Sequence, residues 1–333
     1  MPGSRRSIRR LALLAVAAVL TSSLLTACGS DDGDGEDSAS RPAPPATEFP
    51  ATQGRTLEQV VANATGEGPV VSPAARVLRV GENRFPFGVF TVEREQIDDA
   101  QVAIYAAPGG GLGGRAVGPF PARIEDLGTE PAFRARSTAD DPDAATVAYV
   151  SDVTLRKPGR WAFAALLKQG DSYTASLLPS PGGVGEFDTP AVGERAPRVS
   201  TPTADEVAKI SEIDTRVPPG TMHDQDLAEV LGRKPAVLLF ATPALCQSRV
   251  CGPVVDVAEQ VKRDYGDRVA FIHQEIYEDN DINKGVRPQM RAYRLPSEPW
   301  LFVIDREGVI RSAIEGPFSV AELDAAVAPV AES

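Results

Sequence analysis

Positive charge is scarce in this sequence: 34 Lys and Arg face 46 Asp and Glu, a net charge of −12, and only 6% of residues are aromatic. Nucleic-acid binding needs a basic surface and stacking rings, so that class of function is excluded as the main role. Apolar runs are short as well: residues 11–25 span about 15 residues, where a membrane-crossing helix needs about 20. Cysteine is scarcer still, with three in the chain. Gly and Pro together make 58 of 333 residues, above average but short of a disordered or collagen-like composition. What remains is an acidic, mostly globular chain, whose length at ~100–200 residues per domain allows two or three domains.

The N-terminus carries Arg5, Arg6, Arg9 and Arg10, then the apolar run, then Leu25-Thr26-Ala27-Cys28. A basic segment followed by a short apolar one has the layout of a secretory signal, here residues 1–27. Leu-Thr-Ala-Cys resembles the bacterial lipobox. That resemblance implies acylation of Cys28 and anchoring of the mature chain to the lipid bilayer, on the extracytoplasmic face of the cell membrane. Ser4-Arg5-Arg6-Ser7-Ile8 resembles part of a twin-arginine export motif, with Arg9 where that motif has an apolar residue. Removing four arginines with the signal leaves a charge of −16, so acyl chains rather than anionic headgroups do the anchoring. Residues 28–66 are rich in Asp, Glu and Pro and are expected to form a solvated tether.

Residues 67–188 alternate short β-rich runs with turn residues, and strands are expected at 76–80, 85–92, 101–106, 146–154, 161–167 and 173–178. Such a pattern, with few helical stretches, suggests an all-β sandwich. The runs 79–87, 99–105 and 159–163 resemble immunoglobulin-like domains of bacterial exported proteins, and the lack of Cys and His in this region makes it read as a scaffold or recognition module. The glycine-rich stretch 109–114 lacks the Lys-Ser/Thr ending of a phosphate loop and reads as a mobile loop. Trp161, alternating with Phe163, is expected in the core. This region has neither Cys nor His, so it offers no soft metal site and no imidazole base. Five prolines between 179 and 202, with Gly182, Gly183 and Gly185 among them, mark a boundary, with a linker at 189–204.

From 205 to 333 the pattern turns α/β. Helices are expected at 226–231, 253–265 and 320–327, with a polar helical or looped stretch before Tyr293, and strands at 236–240, 269–276, 300–304 and 309–314. The run 236–240 is apolar throughout, as in a strand buried on both faces. The order α, β, α, β, α, β, β, α resembles the thioredoxin fold. Phe240-Ala241-Thr242-Pro243 leading to Cys246, Cys251-Gly252-Pro253 at a helix start, Glu298-Pro299-Trp300 opening a strand and the hairpin 305–309 carry the resemblance. It implies exchange chemistry at the cysteines, with Pro299 as the cis-proline opposite them. Two features depart from the family: the spacing is Cys-x4-Cys, with Val254 in place of the usual second cysteine, and Leu239 stands where the family keeps a buried Asp. The expected architecture is therefore multidomain, an all-β immunoglobulin-like sandwich followed by an α/β thioredoxin-like fold.

With Cys28 acylated, Cys246 and Cys251 are the remaining thiols in an oxidising compartment, and one pair uses both. Pro253 suits the first helical position, which puts Cys251 at the positive end of the helix macrodipole, and Arg249 adds a second cationic influence. Five residues apart on one regular helix, two thiols point ~140° apart, so Cys246 lies in the loop if they pair. The helix terminus favours Cys251 as the attacking thiol and Cys246 as its resolving partner, while alignment on the preceding strand reverses the two. His273 and Glu275, two apart on one strand face, are candidates for the missing proton acceptor, and a core histidine is the plainer reading of His273. His223 is expected in a surface loop.

Three functions follow. One is a membrane-anchored thiol–disulfide oxidoreductase acting, without a cofactor, on client or redox-partner proteins outside the cytoplasm. Another is a copper carrier with Cys246, Cys251 and His273 as ligands. It resembles in outline the thioredoxin-fold copper chaperones of the SCO family, which use Cys-x3-Cys and a much later His. The third is a non-catalytic binding lipoprotein whose disulfide is only structural. A peroxidase is disfavoured, because Pro243 stands three before Cys246 where a Thr or Ser is needed. The oxidoreductase is the leading expectation.

Overall fold

The computed structural model describes residues 40–180, 182–246 and 248–332. The expected signal segment, Cys28 and residues 29–39 of the tether lie outside the described residues. In chain order the first nine strands are β1 (Gly66–Glu67), β2 (Val70–Pro73), β3 (Gly81–Phe90), β4 (Val102–Pro108), β5 (Val117–Asp126), β6 (Val147–Leu155), β7 (Gly159–Gln169), β8 (Ser172–Leu178) and β9 (Gly183–Val184). They form one sheet in the order β1-β8-β7-β4-β5-β6-β3-β2, with β9 paired to β7. Alternate residues line its two faces. Phe85, Phe87, Val89, Ile104, Tyr149 and Phe163 meet in one core, so the sheet curls and its two halves pack on each other. The other face of β4, with Ala103, Tyr105 and Ala107, is covered by Phe49 and by Leu57 and Val60 of α1 (Leu57–Val61). Thr56 and Gln59 close α1 with a capping box. Residues 40–66, expected within the tether, thus contribute to a core, because Phe49, Leu57 and Val60 are spaced to reach it.

The expected pair of separate sheets is one continuous nine-stranded sheet instead, and β5 is the reason. It pairs with β4 through Phe120 and Pro121 and with β6 from Ala122 onward, so one strand belongs to both halves. No strand was expected there, because Pro119 and Pro121 each remove a ladder donor. Residues 76–80, expected as a strand, are not one; the Arg76 and Val77 N–H groups donate to the Glu315 carboxylate. Trp161 is buried as expected, its indole donating to the Lys157 carbonyl at 2.9 Å.

The rest of the chain adds α2 (Arg136–Ala139), α3 (Leu227–Val230), α4 (Cys251–Tyr265), α5 (Pro288–Ala292) and α6 (Val320–Ala331). The strands β10 (Ala236–Phe240), β11 (Ala270–Gln274), β12 (Trp300–Ile304) and β13 (Ile310–Glu315) form a second sheet in the order β11-β10-β12-β13. Within it β10 and β11 are parallel and the other neighbours antiparallel. Every residue of β10 is buried. Val237 and Leu239 pack against α4 and α6, while Leu238 and Phe240 pack against Leu227, Met290 and Tyr293 on the opposite side. Helices cover both faces, and strand order and direction are those of a thioredoxin-like fold. Among the described residues no helix is long and apolar enough to cross a membrane.

Two sets of contacts position the site. Residues 189–204, expected as a linker, run beside the 305–309 hairpin, where the Ala196 N–H donates to the Gly308 carbonyl at 2.9 Å. The β5–β6 connection, residues 127–146 with α2, lies against α4. Buried Arg216 ties it there, donating to Asp256 at 2.8 Å and to the Phe133 carbonyl at 2.6 Å, while the Ala135 N–H donates to Asp256 at 3.0 Å.

Candidate functional site

Strand β10 ends at Phe240, α4 begins at Cys251, and the loop between them carries Cys246. Cys246 and Cys251 form a disulfide with Cα atoms 5.9 Å apart, within the usual range for such a bond. The helix starts two residues earlier than expected: Cys251 is its first residue and Pro253 its third. Proline is still tolerated there, since the first four N–H groups of a helix have no intrahelical partner. Cys251 therefore sits at the positive end of α4. It has no exposed surface and packs in the core that also holds Met222, Val254 and Val255. Cys246 is only partly buried, and its sulfur lies 3.2 Å from the Ser248 hydroxyl.

The expected cationic influence of Arg249 is offset, because its guanidinium is paired with Asp143 at 2.6 Å. The Arg249 carbonyl accepts from the Ala145 N–H at 3.0 Å. The 127–146 connection thereby overhangs the disulfide and leaves a cleft of about 30 Å³, lined by Ser137, Thr138, Asp141, Pro243, Cys246 and Gly252 among others. Gly252 is required by this approach: a Cβ there would lie 2.9 Å from the Thr138 hydroxyl.

The Glu298–Pro299 peptide bond is cis. A Glu298 carboxylate oxygen and the two cysteine sulfurs all lie within 4.8 Å of one another. Burial pushes the Glu298 carboxyl up to about 7, the neighbouring Glu275 adds to the rise, and the Tyr277 hydroxyl partly offsets it. Leu239, at the position of the family's buried acid, is fully buried and apolar, so Glu298 is the carboxylate that the cysteines actually meet. In the sequence Glu298 stands out only as the residue before Pro299. The signal available was an acid set directly against the apolar run that opens with Trp300.

His273 and Glu275 do not act on each other. Strand β11 ends at Gln274, so Glu275 escapes its alternation and accepts from the Thr215 N–H at 2.8 Å and the Thr215 hydroxyl at 2.7 Å. The His273 Nε2 atom is 3.0 Å from the Ala241 carbonyl, and its Nδ1 is 3.9 Å from Asp214. His223, expected at the surface, is buried, with Nε2 3.2 Å from Asp214. In the sequence the polar residues Thr221 and Asp224 on either side conceal a position that the fold turns inward. The donor atoms thus fall into two groups, Cys246, Cys251 and Glu298 in one and Asp214, His223 and His273 in the other. The expected copper set of Cys246, Cys251 and His273 is not brought together as one group.

No family model matches the chain, and no curated protein matches it. Among the solved structures that resemble part of it are two of thioredoxin type. One is a thiol:disulfide interchange protein of the thioredoxin family from Chlorobium tepidum TLS, 22% identical, with a TM-score of 0.30, covering 43% of this chain and 99% of that one. The other is a thioredoxin-like superfamily protein, 17% identical, with a TM-score of 0.29, covering 43% of this chain and 98% of that one.

Proposed function

We propose that this chain is a thiol–disulfide oxidoreductase acting on client or redox-partner proteins outside the cytoplasm, anchored to the bilayer through acylated Cys28. The observation that carries the reading is the Cys246–Cys251 disulfide at the β10–α4 turn, with the cis Glu298–Pro299 bond and the raised Glu298 carboxyl beside it. A disulfide that only staples a loop has no use for a nearby acid that titrates close to neutrality.

Burial supports the reverse of the helix-terminus argument: Cys246, which borders the cleft, is read as the sulfur that exchanges with the client, and Cys251 as the one that resolves. A client thiolate attacks the Cys246 sulfur, the Cys246–Cys251 bond breaks, and Cys251 leaves as a thiolate at the positive end of α4. Protonated Glu298 then donates its proton to that thiolate. A second client thiolate attacks the client sulfur of the mixed disulfide, the client disulfide forms, and Cys246 leaves as a thiolate. The client loses two electrons and the cysteine pair gains them. Run backwards, the same steps reduce a client disulfide, with Glu298 accepting the Cys251 proton. No cofactor is needed.

Beside the loop lies a groove of about 440 Å³ whose lining includes Val70, Phe87, Phe90, Val92 and Val250. Strand β2 ends the nine-stranded sheet there and offers backbone groups to an extended client segment. The test of the reading is the reduction potential of the Cys246–Cys251 couple, equilibrated against glutathione or dithiothreitol buffers. A value of about −120 to −270 mV supports exchange, and one below about −300 mV marks a structural bond and overturns it.

A further inference from the structure

The chain has two histidines, and both are buried at one place. Asp214, His223 and His273 are each at most 3% exposed, and one donor atom from each lies within 4.8 Å of the other two. His223 Nε2 is 3.2 Å and His273 Nδ1 is 3.9 Å from the Asp214 carboxylate, with the two rings 5.2 Å apart. Neither nitrogen makes a well-directed hydrogen bond, although His223 Nε2 stands at ion-pair distance from the carboxylate. Two buried imidazole nitrogens turned toward one carboxylate without a directed hydrogen bond, His273 Nδ1 the farther from any partner, are costly in a folded protein.

We propose that Asp214, His223 and His273 bind a divalent transition-metal ion, with zinc as the ion to test. Their surroundings are those that metal ligands need. The His273 Nε2–H donates to the Ala241 carbonyl at 3.0 Å, which leaves Nδ1 with its lone pair toward the group. The Asp214 carboxylate is held by the Arg216 N–H at 2.8 Å and the Gly220 N–H at 2.6 Å. Outer hydrogen bonds of this kind fix the tautomer of a ligating histidine and the orientation of a ligating carboxylate. Zinc bonds of about 2.0–2.2 Å in a tetrahedral set put neighbouring donor atoms roughly 3.3 Å apart. His223 Nε2 stands 3.2 Å from one Asp214 oxygen and His273 Nδ1 3.9 Å from the other, with one donor atom from each residue within 4.8 Å of the other two, so the rings must draw in on the ion to close the set. Two imidazoles and a carboxylate suit zinc and similar borderline ions, and the absence of thiolate disfavours Cu(I).

Burial closes the site to substrate, so the ion's role is to fasten the fold. It joins the 213–223 segment to β11, whose His273 N–H already donates to the Met222 carbonyl at 3.0 Å. Through Ala241 it also steadies the first residue of the disulfide loop, and through Thr215 it steadies the segment that holds Glu275. The proposal is independent of the exchange chemistry, since it uses neither cysteine.

The test uses the mature chain with its disulfide oxidised, so that the cysteines offer no thiolate. It is stripped with chelator, then titrated with Zn²⁺, and separately with Co²⁺ as a spectroscopic probe. The expected result is one ion per chain, a rise in Tm on loading, and visible Co²⁺ absorption. His223→Gln, His273→Gln and Asp214→Asn should each weaken binding at least tenfold, while the Cys246→Ser/Cys251→Ser double variant keeps it. No stoichiometric binding by the wild-type chain, or binding that survives the histidine variants, overturns the proposal. Where a variant fails to fold, X-ray absorption on the zinc-loaded wild-type chain decides: scattering from two imidazoles supports the site, and an oxygen-only or sulfur shell overturns it. An Asp214 carboxylate paired only with a protonated imidazole would give the no-binding outcome.

Discussion

The Glu298 carboxylate lies within 4.8 Å of the Cys251 sulfur, at the end of the cis peptide bond and not on the central strand where Leu239 is buried. Burial raises its titration most, Glu275 adds to the rise, and the Tyr277 hydroxyl lowers it. Exchange by the wild-type chain should show an inflection near pH 7, where Glu298 titrates. Glu298→Gln should remove that inflection and slow exchange by roughly 10²-fold or more, the usual scale for a lost general acid. Stability gives a second reading. An unfolded glutamate loses its proton near 4.5 and the folded one near 7, so between those values the unfolded chain ionises first and wild-type stability falls as pH rises. Urea denaturation of the oxidised chain at pH 5 and pH 8 should show that fall, and Glu298→Gln should show a smaller one, because Asp256 and Glu315, also raised by burial, still contribute.

Single-cysteine variants separate the sulfurs. If the accessible Cys246 exchanges with the client, Cys251→Ser should accumulate a mixed disulfide with a model client that carries a disulfide, the Cys246 thiolate attacking one client sulfur and the other leaving as a thiolate, and Cys246→Ser should not. The measurement is adduct mass under non-reducing conditions. Adduct with Cys246→Ser alone would return the attacking role to Cys251 and mean that the overhanging 127–146 connection moves aside.

What the sequence disclosed, and what it concealed, divides by the range of the interactions concerned. Strands β10 and β12 were legible because each is buried on both faces, and a continuous apolar run is the local mark of that. The cysteine pair was legible from its place between strand and helix. Strand β5 was not, because pairing with both β4 and β6 overrides what Pro119 and Pro121 say locally. His223 and His273 stand 50 positions apart, and only the fold puts both beside Asp214. Glu298 likewise looks like an ordinary surface acid until the fold sets it against the disulfide.

The Arg249–Asp143 pair links the disulfide loop to the connection above it. Both side chains are partly solvated, at 32% and 53% exposure, so the pair contributes about 0.2–1 kcal/mol at most. Asp143→Ala should therefore barely change the urea midpoint. It should still speed reduction of the disulfide by a small thiol, because it frees the guanidinium to favour a thiolate and loosens the overhang. Unchanged reduction kinetics would show that neither the charge of Arg249 nor the overhang limits access.

Arg216 and Asp256 make a contact of another kind. The Arg216 Nε donates to Asp256 at 2.8 Å with both side chains at most 8% exposed, and the same guanidinium holds the Phe133 and Pro218 carbonyls. Removing one member of such a pair strands a charge in the interior, a loss of about 3–5 kcal/mol. The two variants should differ in pH dependence. Burial already pushes the Asp256 carboxyl up, with the Ala135 N–H and Arg216 opposing the rise. In Arg216→Ala one opposing influence is gone, so the folded carboxyl titrates higher still. A group with a raised folded pKa lowers stability as pH rises, so the Arg216→Ala defect should shrink from pH 8 to pH 5 as Asp256 takes a proton. Asp256→Ala strands a guanidinium that stays charged at both pH values, so its defect should not shrink. Urea denaturation of the three chains at the two pH values measures this, and equal pH dependence in the two variants would show that solvent reaches the pair.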